Sequence, residues 1–346
     1  MARVNVGLIG AGRIGKLHAQ HLAHRIPEAR LLAVADVSPQ AAEECARACQ
    51  VSDVCSDYCR ILEHPDIEAV VVCTSTNTHA TIVEAAAAAG KHVFCEKPLD
   101  LDLARIDQVL TAVKRAGVKL QVGFNRRFDA NFKRVRDLTA AGEIGTPHVV
   151  RITSRDPQPP PVEYIQVSGG IFLDMTIHDF DMARYLIGDE VTEVCALGGV
   201  MVDPLIGEAG DIDTAIVTLR YASGAIGAID NSRRAVYGYD QRVEVFGSGG
   251  MLSAANETAD SVQCSTGSGV RSALPLFFFI ERYTQSYITE MRAFLQCVLE
   301  DTPPPVTGDD GRMAVLMGYA AKESYLQRRP VKLSEVDQPP ENEGGI

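Results

Sequence analysis

Three short patterns in this chain carry residue types that could do chemistry. Asp174 and His178 stand four residues apart in GGIFLDMTIHDFDMARYLI (169–187), which opens on a glycine pair and continues with amphipathic helical spacing. On a helix such a pair shares a face, so the carboxylate can hold one imidazole nitrogen and leave the other to take a proton. An imidazole near its reference pKa of about 6.5 suits general-base work at neutral pH. The simpler reading makes His178 a helix-filling residue, with Asp179 and Asp181 on a solvated acidic face. The second pattern, Glu96-Lys97-Pro98, puts two charged residues directly after an apolar run, either as a surface ion pair or facing a cleft. The third is Gly10-Ala11-Gly12-Arg13-Ile14-Gly15, a G-x-G-x-x-G loop.

The elements around the glycine loop give it meaning. Val4–Ile9 has strand composition and Lys16–His24 helical spacing, so the loop sits in a strand–turn–helix setting. Gly10 permits the tight turn, Gly12 lets the backbone approach a pyrophosphate, and Gly15 lets helix and strand pack closely. The helix N-terminus offers amides and a positive dipole end to the phosphates. A second strand, Leu31–Ala35, ends at Asp36, 21 residues after Gly15. A carboxylate there accepts both hydroxyls of an adenosine ribose and repels a 2′-phosphate, unless it merely begins a turn. Val37, Ser38 and Pro39 supply no cation for that phosphate, so NAD is expected over NADP.

The alternation continues through Ala69–Cys73, a run apolar enough for a buried parallel strand, helix His79–Ala89, strand His92–Cys95, helix Leu103–Arg115 and strand Leu120–Gly123. This predicts an α/β Rossmann dinucleotide-binding domain over 1–123. Cofactor-binding candidates are Gly10, Gly12, Arg13, Ile14, Asp36, Thr74, Ser75, Asn77, His79, Glu96 and Lys97, at or near the carboxyl ends of these strands.

The second half reads differently. Helix Asn131–Ala141 is followed by strand-length runs at His148–Ser154, Glu193–Val200, Ala215–Tyr221, Ala225–Asn231 and Gln241–Phe246. Period-two alternation and a Ser-Gly turn at 223–224 predict neighbouring antiparallel strands. The expectation is an α+β domain over 124–335 with a large, mostly antiparallel open sheet, then a loose tail over 336–346. Asp156 opens a proline-rich stretch (157–161) that is either a plain connection or a cleft wall. Val236–Tyr239 and Phe277–Tyr283 supply aromatic rings and hydroxyls. Helix Ser286–Glu300 carries an apolar stripe of Ile288, Met291, Leu295 and Val298, and Asp309–Gln327 is the last helix.

Composition excludes several classes of function. Lys+Arg 33 against Asp+Glu 45 gives a net charge of −12 over 346 residues, which argues against nucleic acid or an anionic membrane as partner. The expectation is a chain without a transmembrane span or signal peptide, since no long uncharged apolar stretch occurs. Among nine cysteines, Cys45, Cys49, Cys55 and Cys59 cluster without a C-x2-C pair, and the odd total fits poorly with a closed disulfide set. No metal site is expected, and free thiols suit a cytoplasmic protein.

GAGRIG, Asp36, Glu96-Lys97-Pro98, Asn125-Arg126-Arg127-Phe128-Asp129 and Asp174-x-x-x-His178 together resemble the Gfo/Idh/MocA oxidoreductases from residue 4 to about 333. GGIFLDMTIHDFDMARYL and VYGYDQRVEVFG resemble the inositol dehydrogenase branch. The resemblance implies NAD-dependent oxidation of a small cyclic polyol, myo-inositol foremost, to its ketone. It gives His178 the role of general base, Asp174 that of orienting it, and Lys97 that of donor to the reacting oxygen. Lys97, Asp174 and His178 would then touch substrate, with Arg127, Asp156, Tyr237 and Tyr283 reading the other hydroxyls. It further implies a Lys97-Pro98 bond that is frequently cis, and a homotetramer built on the open sheet face. Two rivals stand beside this reading: a dehydrogenase of another inositol isomer or a pyranose sugar, and a non-catalytic dinucleotide-binding sensor, which needs neither Lys97 nor His178.

Overall fold

In the computed structural model the described residues run from 2 to 337, so nearly all of the expected tail lies outside them. The chain divides into two compact units. One holds residues up to Phe128 together with Gln285–Met313; the other holds Asp129–Thr284 and the residues from Ala314 on.

The first unit alternates β1 (Val4–Ile9), α1 (Arg13–His24), β2 (Ala29–Ala35), α2 (Pro39–Cys49), β3 (Asp53–Cys55), α3 (Cys59–Glu63), β4 (Ala69–Val72), α4 (Thr76–Ala88), β5 (His92–Glu96), α5 (Leu103–Ala116) and β6 (Leu120–Gly123). Its six strands are all parallel in the order β3-β2-β1-β4-β5-β6. That is the doubly wound Rossmann order, whose direction reverses between β1 and β4, and ligands bind there at the strands' carboxyl ends. Helices cover both faces of such a sheet, which is why β4 can be wholly apolar and wholly buried. Local signals start the helices: Ser38 accepts from Ala41 N–H with Pro39 in the first turn of α2, and Asp102 accepts from Ala104 and Arg105 N–H at α5.

The second unit contains α6 (Ala130–Ala140), β7 (Pro147–Arg155), α7 (Val162–Ser168), α8 (Ile171–Asp174), α9 (Ile177–Ile187), β8 (Val191–Gly199), α10 (Pro204–Glu208), β9 (Thr214–Tyr221), β10 (Ile226–Ser232), β11 (Asp240–Gly247), β12 (Gly250–Ala254) and a hairpin, β13 (Gln263–Thr266) and β14 (Gly269–Ser272). Helices α11 (Phe279–Glu300) and α12 (Gly308–Gln327), then β15 (Val331–Lys332) and α13 (Leu333–Val336), complete the described chain. A seven-stranded sheet runs β12-β11-β7-β10-β9-β8-β15. All neighbours in it are antiparallel except β7 and β10. Val150, Ile152, Val217, Leu219, Ile229 and Val243 fill its buried face, while Ile216, Ile226 and Phe246 on alternate positions stay about half exposed.

Sequence order assigns the whole of 285–313 to the second domain, but those residues group with the first unit. Ile288, Met291 and Leu295 of α11, with Phe294, pack in one core with Val4, Leu8 and Phe94. Among the described residues no helix is long and apolar enough to cross a membrane.

Candidate active site

The glycine loop after β1 is shaped by what it excludes. Gly10 has φ +97°, and a Cβ on it would lie 2.6 Å from the Cys73 carbonyl carbon. A Cβ on Gly15 would lie 1.9 Å from Gly10 O, so α1 can pack against the loop only with glycine there. Gly12 differs: a Cβ there would meet no atom within 4 Å. Gly12 is the N-cap of α1, which has neither a side-chain cap nor an acidic residue in its first turn. The helix end therefore keeps its amides and positive dipole for an anion.

Asp36 closes the same region. Its Oδ2 accepts from Ala11 N–H at 2.6 Å and its Oδ1 from Ser38 N–H at 2.8 Å, which fixes the carboxylate beside the loop. A carboxylate has about four lone-pair sites, so two remain for a vicinal diol. These residues fit the pyrophosphate and adenosine ribose of NAD. Replacing Asp36 by alanine should raise the NAD KM about 10-fold or more, since a hydrogen bond to a charged group is worth about 1.5–3 kcal/mol. The preference over NADP should relax in parallel. Measured kcat/KM for both cofactors checks this, and equal efficiency in the unmutated protein contradicts it.

The ends of β4 and β5 carry the remaining candidates of this unit. Ser75 and Asn77 are exposed, and Thr74 Oγ1 accepts from Thr78 Oγ1 at 2.7 Å. His79 is 2% exposed, its ring nitrogens 2.8 Å from Pro98 O and 3.0 Å from Thr74 O. It thus braces the turn after β4 against the backbone that follows Lys97. Glu96 pairs with His18 Nε2 at 2.7 Å; His18 lies buried in α1, edge-on to Phe94 and Tyr287. A Cβ on Gly123 would lie 3.1 Å from the Glu96 carboxyl, so a glycine also makes room for it. The Lys97-Pro98 bond is cis. Arg127 forms an ion pair with Asp310 at 2.9 Å. Burial pushes the Cys73 and Cys95 thiols well up from their ordinary range.

In the second unit the Asp174/His178 stretch departs from the single helix that its spacing predicts. Gly169 and Gly170 both take positive φ, α8 ends at Asp174, and α9 begins at Ile177. The regular ladder breaks where Thr176 N–H reaches back to Ile171 O at 2.9 Å. The Thr176 hydroxyl donates to Asn231 Oδ1 at 2.6 Å, and Asn231 Nδ2 donates to Asp179 Oδ2 at 2.8 Å and Ser154 O at 3.2 Å. The sheet grips the start of α9 through this buried asparagine. Asp179 and Asp181 are accordingly buried, at 0% and 1% exposure, and not a solvated acidic face.

Asp174 is held at both oxygens. Tyr164 of α7 donates to Oδ1 at 2.9 Å, and Arg233 Nη1 donates to Oδ2 at 3.2 Å. Arg233 is 1% exposed, and its Nη2 lies 3.5 Å from Asp211. The segment after β10 gathers other candidates of this unit. Asp156 N–H donates to Ser232 O at 2.9 Å, and Ala235 N–H donates to Asp156 O at 2.6 Å. The Tyr237 hydroxyl donates to Asp240 Oδ2 at 2.6 Å and accepts from Arg155 Nη1 at 3.1 Å. Burial, helped by the Asp240 bond, raises the Tyr237 pKa. Burial works to raise Asp240, but bonds from Arg242, Tyr237 and Asn256 outweigh it and hold that carboxyl low. Tyr283 lies deeper, 1% exposed, its hydroxyl 3.4 Å from Gln241 Oε1 and its ring under Arg282 at 4.7 Å.

Comparison with known proteins decides the family. The description "Oxidoreductase family, NAD-binding Rossmann fold" matches residues 4–124, and "GFO/IDH/MocA C-terminal domain" matches 132–253. The chain belongs to the GFO/IDH/MocA oxidoreductases. It is 54% identical over 333 residues to a protein of Thermotoga maritima named Myo-inositol 2-dehydrogenase, covering 96% of this chain and 99% of that one. It is 47% identical to Inositol 2-dehydrogenase of Rhizobium meliloti, covering 96% and 99%. A crystal structure of scyllo-inositol dehydrogenase from Lactobacillus casei, with bound NAD(H) and scyllo-inositol, aligns with TM-score 0.90 and 30% identity, covering 96% and 99%.

NAD is the cofactor of this oxidoreductase, as the match to the NAD-binding family shows. All nine cysteines are free, and among the described residues no group of three or more His, Cys, Asp or Glu side chains could hold a metal. Sequence reasoning missed Arg233, Tyr164 and Asp211 around Asp174, and His18 behind Glu96. His18 had a faint signal, a histidine on the helix after the glycine loop; Arg233 had none that separates it from Arg234, which is exposed.

Proposed function

We propose that this oxidoreductase oxidises a cyclic polyol, myo-inositol foremost, at its axial secondary hydroxyl, giving 2-keto-myo-inositol. The substrate rests on one observation: 54% identity along nearly the whole of both chains to the Thermotoga maritima protein of that name. The chemistry follows from the residues. His178 takes the hydroxyl proton as the carbon–oxygen double bond forms. Asp174, held at both oxygens, orients the imidazole and stabilises its charged form. Lys97, at the end of β5, donates to the reacting oxygen as negative charge develops on it. NAD, when bound, accepts the hydride that leaves the same carbon. Arg127, Asp156, Tyr237 and Tyr283 remain the proposed readers of the other hydroxyls. The half-exposed Ile216, Ile226 and Phe246 support a homo-oligomer, a tetramer by family resemblance, formed on the outer sheet face.

A second reading, oxidation of scyllo-inositol, has the Lactobacillus casei structure in its favour. Following NADH absorbance across myo-inositol, scyllo-inositol, other isomers and pyranose sugars tests both. The highest kcat/KM is expected with myo-inositol. Preference for scyllo-inositol or a pyranose overturns the substrate, and NAD binding without turnover of any polyol overturns the enzyme reading in favour of a sensor.

A further inference from the structure

We propose that Arg233 is a positioning residue for this proton transfer, a buried guanidinium that aims the Asp174 carboxylate by standing between it and Asp211. The inference rests on the roles given above to Asp174 and His178. Arg233 directly follows β10, where its own N–H donates to Asp213 O at 2.8 Å and fixes the backbone. From there the 1%-exposed side chain puts Nη1 3.2 Å from Asp174 Oδ2 and Nη2 3.5 Å from Asp211 Oδ2.

Asp211 is itself anchored, its Oδ1 accepting from Ile171 N–H at 3.1 Å at the start of α8. Gly170 makes that approach possible: its φ is +81°, and a Cβ on it would lie 2.8 Å from Asp211 Oδ1. One carboxylate thus meets both the α8 start and the Arg233 guanidinium. With Tyr164 on Oδ1 and Arg233 on Oδ2, the plane of the Asp174 carboxylate is fixed from two sides. On the role proposed above for Asp174, a carboxylate so fixed would set the direction of the His178 imidazole. The guanidinium is suited to this because its planar fork holds geometry that a lysine ammonium does not.

The test compares Arg233→Met, Arg233→Lys and Arg233→Met/Asp211→Asn, reading kcat, polyol KM, NAD affinity and Tm. Arg233→Met should lower kcat about 10–100-fold, the scale of a small misplacement in a reacting geometry. NAD affinity should not change, because the glycine loop and Asp36 are untouched. Arg233→Lys keeps charge without the fork and should recover only part of the turnover. Adding Asp211→Asn removes the repulsion between two carboxylates left without their cation, and should restore Tm while kcat stays low. If kcat returns together with Tm in the double variant, Arg233 only balances charge for folding and the proposal is overturned. Should Arg233→Met not fold, Arg233→Lys decides: lowered kcat at parental Tm supports the proposal, and full turnover overturns it. His178→Ala run alongside separates the layers. An active His178→Ala sinks the underlying mechanism, whereas an inactive one beside fully active Arg233 variants sinks only this inference.

Discussion

Replacing His178 by alanine should lower kcat by about 10²–10⁴, the usual scale for a lost general base. The residue stands in the first turn of α9, whose start is gripped by the Thr176 hydroxyl on Asn231. The fold should therefore survive, and NAD affinity, read by fluorescence titration, should stay close to that of the parent. Asp174→Asn should give a defect of the same kind, because it loses the charge that supports imidazolium and the acceptor that Arg233 serves. The two losses act on one proton, so the double variant should be little worse than His178→Ala alone. Near-normal turnover of His178→Ala across the pH range makes His178 a structural helix residue.

Replacing Lys97 by alanine should cost about 10²–10³ in kcat, the scale of removing one donor to a developing oxyanion, about 2.7–4 kcal/mol. Binding of NAD should persist, since the Gly12 approach and the Asp36 carboxylate do not involve this lysine. The informative contrast is with polyol KM. A lysine that stabilises the transition state lowers kcat when lost, while one that only holds the substrate raises KM and leaves kcat alone. A KM effect without a kcat effect would move Lys97 from the catalytic group to the hydroxyl readers.

The dinucleotide half was legible because its signals are local. The close packing at Gly15 and the placing of Asp36 after β2 depend on neighbours within one βαβ unit, and the turn at Gly10 meets only the end of β4, the next strand in the sheet. Asp174 and His178 were legible as a spacing, but the break between α8 and α9 was not. That break depends on Asn231, more than fifty residues on, reaching Thr176 and Asp179 through the sheet. The same asparagine explains why Asp179 is buried although an aspartate on a helix face usually meets water. The apolar stripe of α11 announced a buried face without saying which sheet it would cover. The β13–β14 hairpin is exposed throughout, so no hydrophobic alternation marks it in the sequence.

The most direct test of the central claim uses myo-inositol carrying deuterium on the carbon of its axial hydroxyl. Turnover with NAD should place the deuterium in the NADH. If NADH forms without the label, the hydride comes from another carbon and the proposed site of oxidation is wrong.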